Sequence, residues 1–476
     1  MNKLKLESGF LFRRACYIPL LLLLLPLLIF ACSAINIWHP DLDWHDQQRI
    51  YQLLLLTMGA VSLMLLGNIQ LPNLAFLMLY SIFVIGLVAS WSAEWPGWAV
   101  KEWSRYIGLL LLPLTVGTLA DKFKIKILLL SLIAFVGFAH VLQFLIYYAS
   151  AFISGMYLLD ADLLFNGFSN PRFFGQFQIM LMPILALLAL ELSQQKRKWL
   201  AVVLLGTLAV QWCIALTLGG RGLWLGLAVS HIALIIINRS FCRLLFLQFI
   251  AATLGASLFL VLFRLIPEWL DLSPTLRDSL RVTLSGRGPI WQWAWDMAVA
   301  NPWFGVGPMH FSATLNPIAA HPHQVILQWA AEWGFVATLF AMLLAGWGVV
   351  HGALYLRRNM AENYDAALWS AIVGALVLAQ VDGVFVMPYT ETWLAILIGL
   401  ALAQWSAQAQ QVQQTRLQRY GVMLLALPVL VILGRELLVE APRIAEVSHA
   451  YRIEHKSGYV PRFWQQGWIP MDGKLV

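Results

Sequence analysis

Apolar runs near 20 residues long recur from Cys16 to Leu433, separated by short polar or proline-bearing stretches. A helix rises about 1.5 Å per residue, so each run is long enough to cross roughly 30 Å of hydrocarbon. The pattern predicts helical spans near 15–36, 50–67, 72–93, 105–121, 127–149, 173–193, 200–217, 222–238, 244–265, 325–355, 366–382, 391–406 and 420–434. Two longer polar segments interrupt them, at roughly 150–172 and 266–324. The second carries Pro267, Pro274, Pro289, Pro302, Pro308, Pro317 and Pro322 with Trp291, Trp293, Trp295 and Trp303 among them, which suits short helices lying at a membrane surface.

Composition narrows the class. Of 476 residues, 60% are apolar and only 12% charged. A soluble domain carries about 25% charge, so neither a water-soluble globule nor a disordered chain fits. The predicted fold is an all-α polytopic membrane protein of about 12 to 13 transmembrane helices with one large loop on the outer side. Its expected divisions are an N-terminal transmembrane bundle at 1–265, the large outer loop at 266–324, C-terminal transmembrane helices at 325–434 and a tail at 435–476. The last apolar run, Gly421 to Leu433, is short enough to be an interfacial helix instead.

The formal charge of +7 is spread in small clusters between spans rather than over one face, which argues for topology and against nucleic acid. With the amino terminus inside, the inner loops carry Lys122, Lys124 and Lys126; Lys196, Arg197 and Lys198; Arg239 and Arg243; Arg357 and Arg358; Arg416 and Arg419. The intervening loops are aromatic, acidic or poor in positive charge, as cytoplasmic enrichment of Lys and Arg requires. The uncharged turn at 68–71 departs from the pattern. Lys3, Lys5, Arg13 and Arg14 before an apolar stretch resemble a secretory signal, but Phe30 suits a small-residue cleavage site badly and an uncleaved first helix is expected. Cys16, Cys32, Cys213 and Cys242 lack metal spacing and read as buried thiols.

Charges at membrane depth or its rim are costly and therefore point to function. Arg221, in Gly219-Gly220-Arg221-Gly222, stands at the outer junction of two spans, where flanking glycines admit close backbone approach and a guanidinium offers fixed donors to an oxyanion such as phosphate. Arg287, in Ser285-Gly286-Arg287-Gly288-Pro289, follows Arg277 and Arg281 in the large loop. A diphosphate ligand calls for several such cations, to hold it and to stabilise its departure. These arginines read equally as headgroup anchors. Ala320-His321-Pro322-His323-Gln324 leads directly into a span that contains Glu332. Histidine is suited to taking a proton from a hydroxyl near neutral pH, and Pro322 fits a helix start. A polar cap on the span is the plainer account of the same residues. Glu332, Asp382 and Glu391 are placed to orient a histidine or arginine, or simply to pair inside the bundle. A zinc site from His310, His321 and His323 lacks accompanying acidic or cysteine ligands, so no metal is expected. There is no Walker A, GxGxxG or HExxH pattern, which removes the usual carriers of nucleotide-driven transport and zinc proteolysis.

In order and placement these residues resemble the O-antigen ligase and O-antigen polymerase superfamily of bacterial glycosyltransferases. Its ligases carry an Arg, three residues and a Leu, matched by Arg221 and Leu225, and a His-(Asn/Ser/Gln) pair followed after nine residues by Gly-x-x-Gly. Here His323-Gln324 precedes Gly334-Phe335-Val336-Ala337, with Ala337 in place of the second Gly. Arg287 to Trp291 and Asn301-Pro302-Trp303-Phe304-Gly305-Val306-Gly307 are similar to the family's outer loop, and the resemblance extends over roughly 170–400. It implies a GT-C-like membrane enzyme of the bacterial inner membrane. Such an enzyme moves a glycan from undecaprenyl diphosphate to an acceptor hydroxyl on the periplasmic side, with inversion and without metal, cofactor or nucleotide sugar. In that reading His323 is the base and Arg221 and Arg287 hold the diphosphate. Arg277, Arg281, His321, Gln324, Glu332 and Arg172 contact substrate. The donor, an acceptor that is lipid A-core or a pilin, and membrane lipids are then the partners, with no nucleic acid among them. Ligation to lipid A-core is the first expectation, with pilin O-glycosylation and O-antigen polymerisation as alternatives. Outside this class, a transporter would distribute charge through broken helices near the midplane, and a scaffold would leave the Arg and His placement without purpose. The aromatic segment Phe165 to Gln176 reads either as an acceptor groove or as an interfacial belt, and Pro461-Arg462-Phe463-Trp464 in the tail has no assigned role.

Overall fold

The computed structural model describes residues 2–66, 71–276, 286–314, 316, 318–358, 361–406, 416–456 and 458–469. Each predicted apolar run coincides with a helix, because a backbone in hydrocarbon must satisfy its own N–H and C=O groups. In chain order the helices are α1 (Asn2–Cys32), α2 (Trp44–Leu66), α3 (Asn73–Trp91), α4 (Pro96–Phe123), α5 (Lys126–Ile153), α6 (Arg172–Gln194), α7 (Lys198–Thr217), α8 (Arg221–Ile237), α9 (Cys242–Leu260), α10 (Ile266–Trp269), α11 (Arg287–Ala300), α12 (Val325–Leu356), α13 (Asn363–Leu378), α14 (Pro388–Ser406), α15 (Arg416–Pro428) and α16 (Ile444–His455). Among the described residues nine helical stretches are long and apolar enough to cross a membrane. The protein is an all-α polytopic membrane protein.

Burial separates the inside of the bundle from its lipid-facing shell. In α6, 89% of the apolar window is buried, against 22% for the Arg239–Trp269 stretch and for α12. Accordingly α6 packs on α7 and α13, α13 on α8, and α4 on α14, α2 and α3. The outer helices leave Leu21, Leu25, Phe135, Val202, Ile236, Phe249 and Trp347 exposed. Such a surface is stable against acyl chains and not against water.

The two ends of the bundle differ in chemistry. Lys126 Nζ lies 3.7 Å from the Tyr364 ring centroid, and Asn238 Nδ2 donates to the Leu356 carbonyl at 2.8 Å. The basic turns after α4, α8 and α12 therefore meet at one end. The opposite end gathers the first turns of α2, α4, α6, α8, α12 and α14 with the described loop residues at 154–171, 270–276 and 301–314. Asp160 and Thr275 join those loops through a bridge.

Two departures from the predicted spans matter. The final run does not stop near 434; it continues through π-helical and 3-10 turns into α16, making a helical stretch of membrane-crossing length from Gln418 to His455. The span predicted at 325–355 is broken. Gly334 has φ 79° and ψ 169°, a conformation that L side chains rarely adopt. A Cβ there would come within 2.4 Å of the Trp303 carbonyl oxygen. The loop at 301–307 fills the break: Val306 N donates to Ala331 O at 2.8 Å, Gly307 N to Glu332 O at 3.1 Å, and Phe335 N to Pro302 O at 2.8 Å. Irregular backbone at this depth survives because the neighbouring loop satisfies it. Ala337, which stands for the second glycine of the sequence motif, is fully buried one turn after the break.

Candidate active site

The histidine pair sits on a tightly specified turn between α11 and α12. Asn316 Oδ1 accepts from the N–H groups of Ile318 and Ala319 at 3.0 and 2.9 Å, closing the loop that approaches His321. Trp291, on the first turn of α11, donates its indole N–H to the Pro322 carbonyl at 2.9 Å. Gln324 is the N-cap of α12, its side-chain oxygen accepting from Leu327 N, while its amide donates to Gln380 Oε1 at 3.1 Å. Capping is thus a structural duty of a residue predicted to contact substrate. Between these anchors His323 adopts φ 54°, an uncommon conformation for a non-glycine residue.

His323 and His321 have unequal environments although their rings are 4.0 Å apart. His321 is buried and packs against Gly383, where a Cβ would approach its Cε1 to 2.5 Å. Burial, then the neighbouring His323 and the Arg462 charge, hold its pKa well below the ordinary imidazole value, so it is neutral. Its Nδ1 accepts from His323 N at 3.3 Å. His323 retains 25% of its side-chain exposure, and its Nδ1 stands 3.6 Å from Asp382 Oδ1. Since Nδ1 itself is buried, the accessible part lies on the rest of the side chain. Asp382 accepts from Gly383 N at 2.8 Å. Burial opposes ionisation of its carboxyl, but His323, that N–H and the Arg287 charge outweigh it and keep the pKa below the usual carboxylate value.

Arg287 acts on this pair, and Arg221 begins a helix packed beside the segment that leads to Asp382. Arg287 is the first residue of α11, half-buried, and close enough for its charge to act on both Asp382 and His321. Arg221 is the half-buried first residue of α8. The adjoining Gly222 lies so near α13 that a Cβ would come within 2.5 Å of Leu378 and 3.4 Å of Val381, the residue before Asp382. Arg172 begins α6 at the same end, exposed, with its N–H donating to Asn170 Oδ1 at 3.0 Å. Arg277 and Arg281 lie outside the described residues.

Other candidates are placed differently. His310 is not beside His321 and His323. Its Nε2 accepts from Trp95 N at 2.9 Å and its Nδ1 donates to Pro308 O at 2.9 Å, so both nitrogens are engaged. Burial, opposed in part by that last bond, pushes its pKa down to about 4. Among the described residues no three His, Cys, Asp or Glu side chains are arranged to hold a metal. Glu332 is fully buried and receives a bidentate grip from Arg462, with Nη1 at 2.7 Å and Nη2 at 2.9 Å.

That grip belongs to a network the sequence reading did not find. Arg105 donates to both oxygens of Glu102 at 2.8 and 2.7 Å and to Glu391. Arg49 donates to Glu391 at 2.8 Å and to the Phe463 carbonyl at 2.7 Å. Arg462 Nη2 also lies 3.6 Å from Glu102. Three guanidiniums and three carboxylates thus balance at the centre of the same end of the bundle as the histidines, and each of the six side chains is 2% exposed or less. The one available signal was the placement of Arg49, Glu102, Arg105, Glu332 and Glu391 near predicted span ends.

Residues 181–342 match the family model described as O-antigen ligase. The match runs from α6 into α12, taking in Arg221, Arg287, His321, His323, Gln324 and Glu332 and leaving Asp382 and Arg462 beyond it. It supports the superfamily resemblance carried by the Arg221 and His323 motifs. No curated protein matches the chain significantly.

Proposed function

We propose that this O-antigen ligase-like protein transfers a glycan from a polyprenyl diphosphate, undecaprenyl diphosphate in bacteria, to an acceptor hydroxyl at the end of the bundle bearing His323. The observation that carries the reading is the pairing of the half-buried His323 with Asp382 at 3.6 Å, within reach of the Arg287 charge. Asp382 facing Nδ1 favours the tautomer whose Nε2 has the lone pair. Nε2 takes the acceptor O–H proton as that oxygen bonds to the anomeric carbon. The C–O bond to the diphosphate breaks from the opposite face, giving inversion. Arg287 and Arg221 hold the departing charge, and Asp382 stabilises the imidazolium formed. Neither nucleotide nor metal enters this scheme, because the diphosphate is itself the activated leaving group.

The positive-inside pattern supports a periplasmic placement of this end in an inner membrane, since the basic turns collect at the other. Ligation to lipid A-core is favoured by the description of the matching family.

His323→Ala is expected to reduce transfer by about 10³-fold while the protein still inserts and accumulates, measured with lipid-linked donor in membrane vesicles. Undiminished transfer in that variant removes the proposed base. Deleting the gene and comparing lipopolysaccharide ladders with pilin mass separates the acceptors. Core without ladder means ligation, a lighter pilin means protein glycosylation, and single-repeat chains mean polymerisation.

A further inference from the structure

The segment from Tyr459 to Ile469 follows the last helix yet lies inside the outer-loop end of the bundle. Phe463, Trp464 and Arg462 are 0%, 1% and 2% exposed. Its backbone is held by side chains of α2: His45 Nδ1 donates to the Trp464 carbonyl at 2.6 Å and Arg49 Nε to the Phe463 carbonyl at 2.7 Å. Gln465 Nε2 adds a 3.0 Å bond to Asp46. Further on, Ile469 N donates to Ser312 O at 2.9 Å, inside the loop that leads to the histidines.

Arg462 connects this segment to the reacting centre. Its guanidinium holds Glu332, two residues before the Gly334 break, and Nη1 also reaches the carbonyl of Ala320 at 3.3 Å. Ala320 directly precedes His321, whose Nδ1 accepts from His323 N. One planar cation therefore touches both flanks of the turn that holds His323 at φ 54°. Burial opposes that charge, but Glu332 and Glu102 outweigh it and hold the guanidinium above its ordinary pKa, so it stays charged.

We propose that the 459–469 segment is an intramolecular strap and that Arg462 is a positioning residue, fixing His323 through Ala320 and Glu332 without touching substrate. This rests on the glycosyl-transfer reading above.

The test uses the full chain in proteoliposomes and the double variant Arg462→Met with Glu332→Met. Replacing both members of a buried pair by apolar residues of similar size is often neutral for folding, whereas removing one is not. The expected result is a kcat for transfer reduced at least ~30-fold, with donor KM and thermal midpoint close to those of the parent. A wild-type kcat in the folded double variant overturns the proposal; a variant that fails to fold is replaced by Arg462→Lys, which keeps the charge and loses the fork and is expected to give an intermediate kcat. Equality of that Lys variant with the parent likewise overturns it. A second readout is independent of activity: the rate at which diethyl pyrocarbonate modifies His323, followed by peptide mass. An altered rate in the double variant supports the strap even if the parent shows no His323-dependent transfer, and an unaltered rate refutes it even if transfer is confirmed.

Discussion

Arg49, Arg105 and Arg462 stand at the same end of the bundle as Arg221 and Arg287, and the two groups are built in opposite ways. The first three are at most 2% exposed and matched by Glu102, Glu332 and Glu391. The second pair is half-buried, and Arg287 acts on a His–Asp pair whose side chains keep 25% and 21% exposure. A buried ion whose counter-ion is built in has little left to offer a ligand, whereas the proposed function has the half-buried pair receive the diphosphate. The difference teaches that charge near the membrane rim is no guide to chemistry until its partner is known.

Separating these groups experimentally gives the largest expected effects. Glu332→Gln removes the nearest counter-ion of the buried Arg462 and is expected to cost about 3–5 kcal/mol, read as a lowered thermal midpoint of the purified protein. Arg287→Ala should leave that midpoint in place and lower transfer about 10²-fold, as loss of one group that stabilises leaving-group charge does. Exchange of these two outcomes would break the division between network and site. Gly334→Ala tests the floor beneath both: its φ of 79° and the Trp303 carbonyl 2.4 Å from a Cβ predict a loss of about 2–3 kcal/mol, seen as reduced accumulation and a lower midpoint. An unaffected midpoint would mean that the break needs no glycine.

The smallest effect concerns pH. His310 is held neutral in the folded protein, with its pKa at about 4, whereas an unfolded histidine titrates near about 6.5. Below the unfolded value the unfolded state binds the extra proton, so stability falls as pH drops from about 6.5 toward about 4 and levels off beneath that. His310→Gln should flatten part of this slope, by about 1–3 kcal/mol across the window, in thermal midpoints measured at stepped pH. A slope unchanged by the substitution would place the titrating group elsewhere.

The helices were legible because hydrocarbon imposes one solution on an apolar run, and the resemblance at Arg221, His323 and the 301–307 segment falls within the stretch that matches the O-antigen ligase model. What escaped was whatever depends on pairing at a distance. Arg49 and Glu391 are 342 positions apart, and Arg462 and Glu332 are 130 apart. No local spacing brings such partners together. Glu332 and Asp382 carried the same ambiguity in the sequence, pairing or orienting; Arg462 claims the first and His323 neighbours the second. The break at Gly334 was equally hidden, because the residues on both sides keep the apolar character of an unbroken span.

Translation order gives the strap one more consequence. Ribosomes produce His323 well before Arg462, and several later helices must form before residue 462 can dock. Until it does, Glu332 has no guanidinium and the histidine turn has one flank unsupported. Under the proposed function, a half-made copy waiting at the translocon would then consume lipid-linked sugar only slowly.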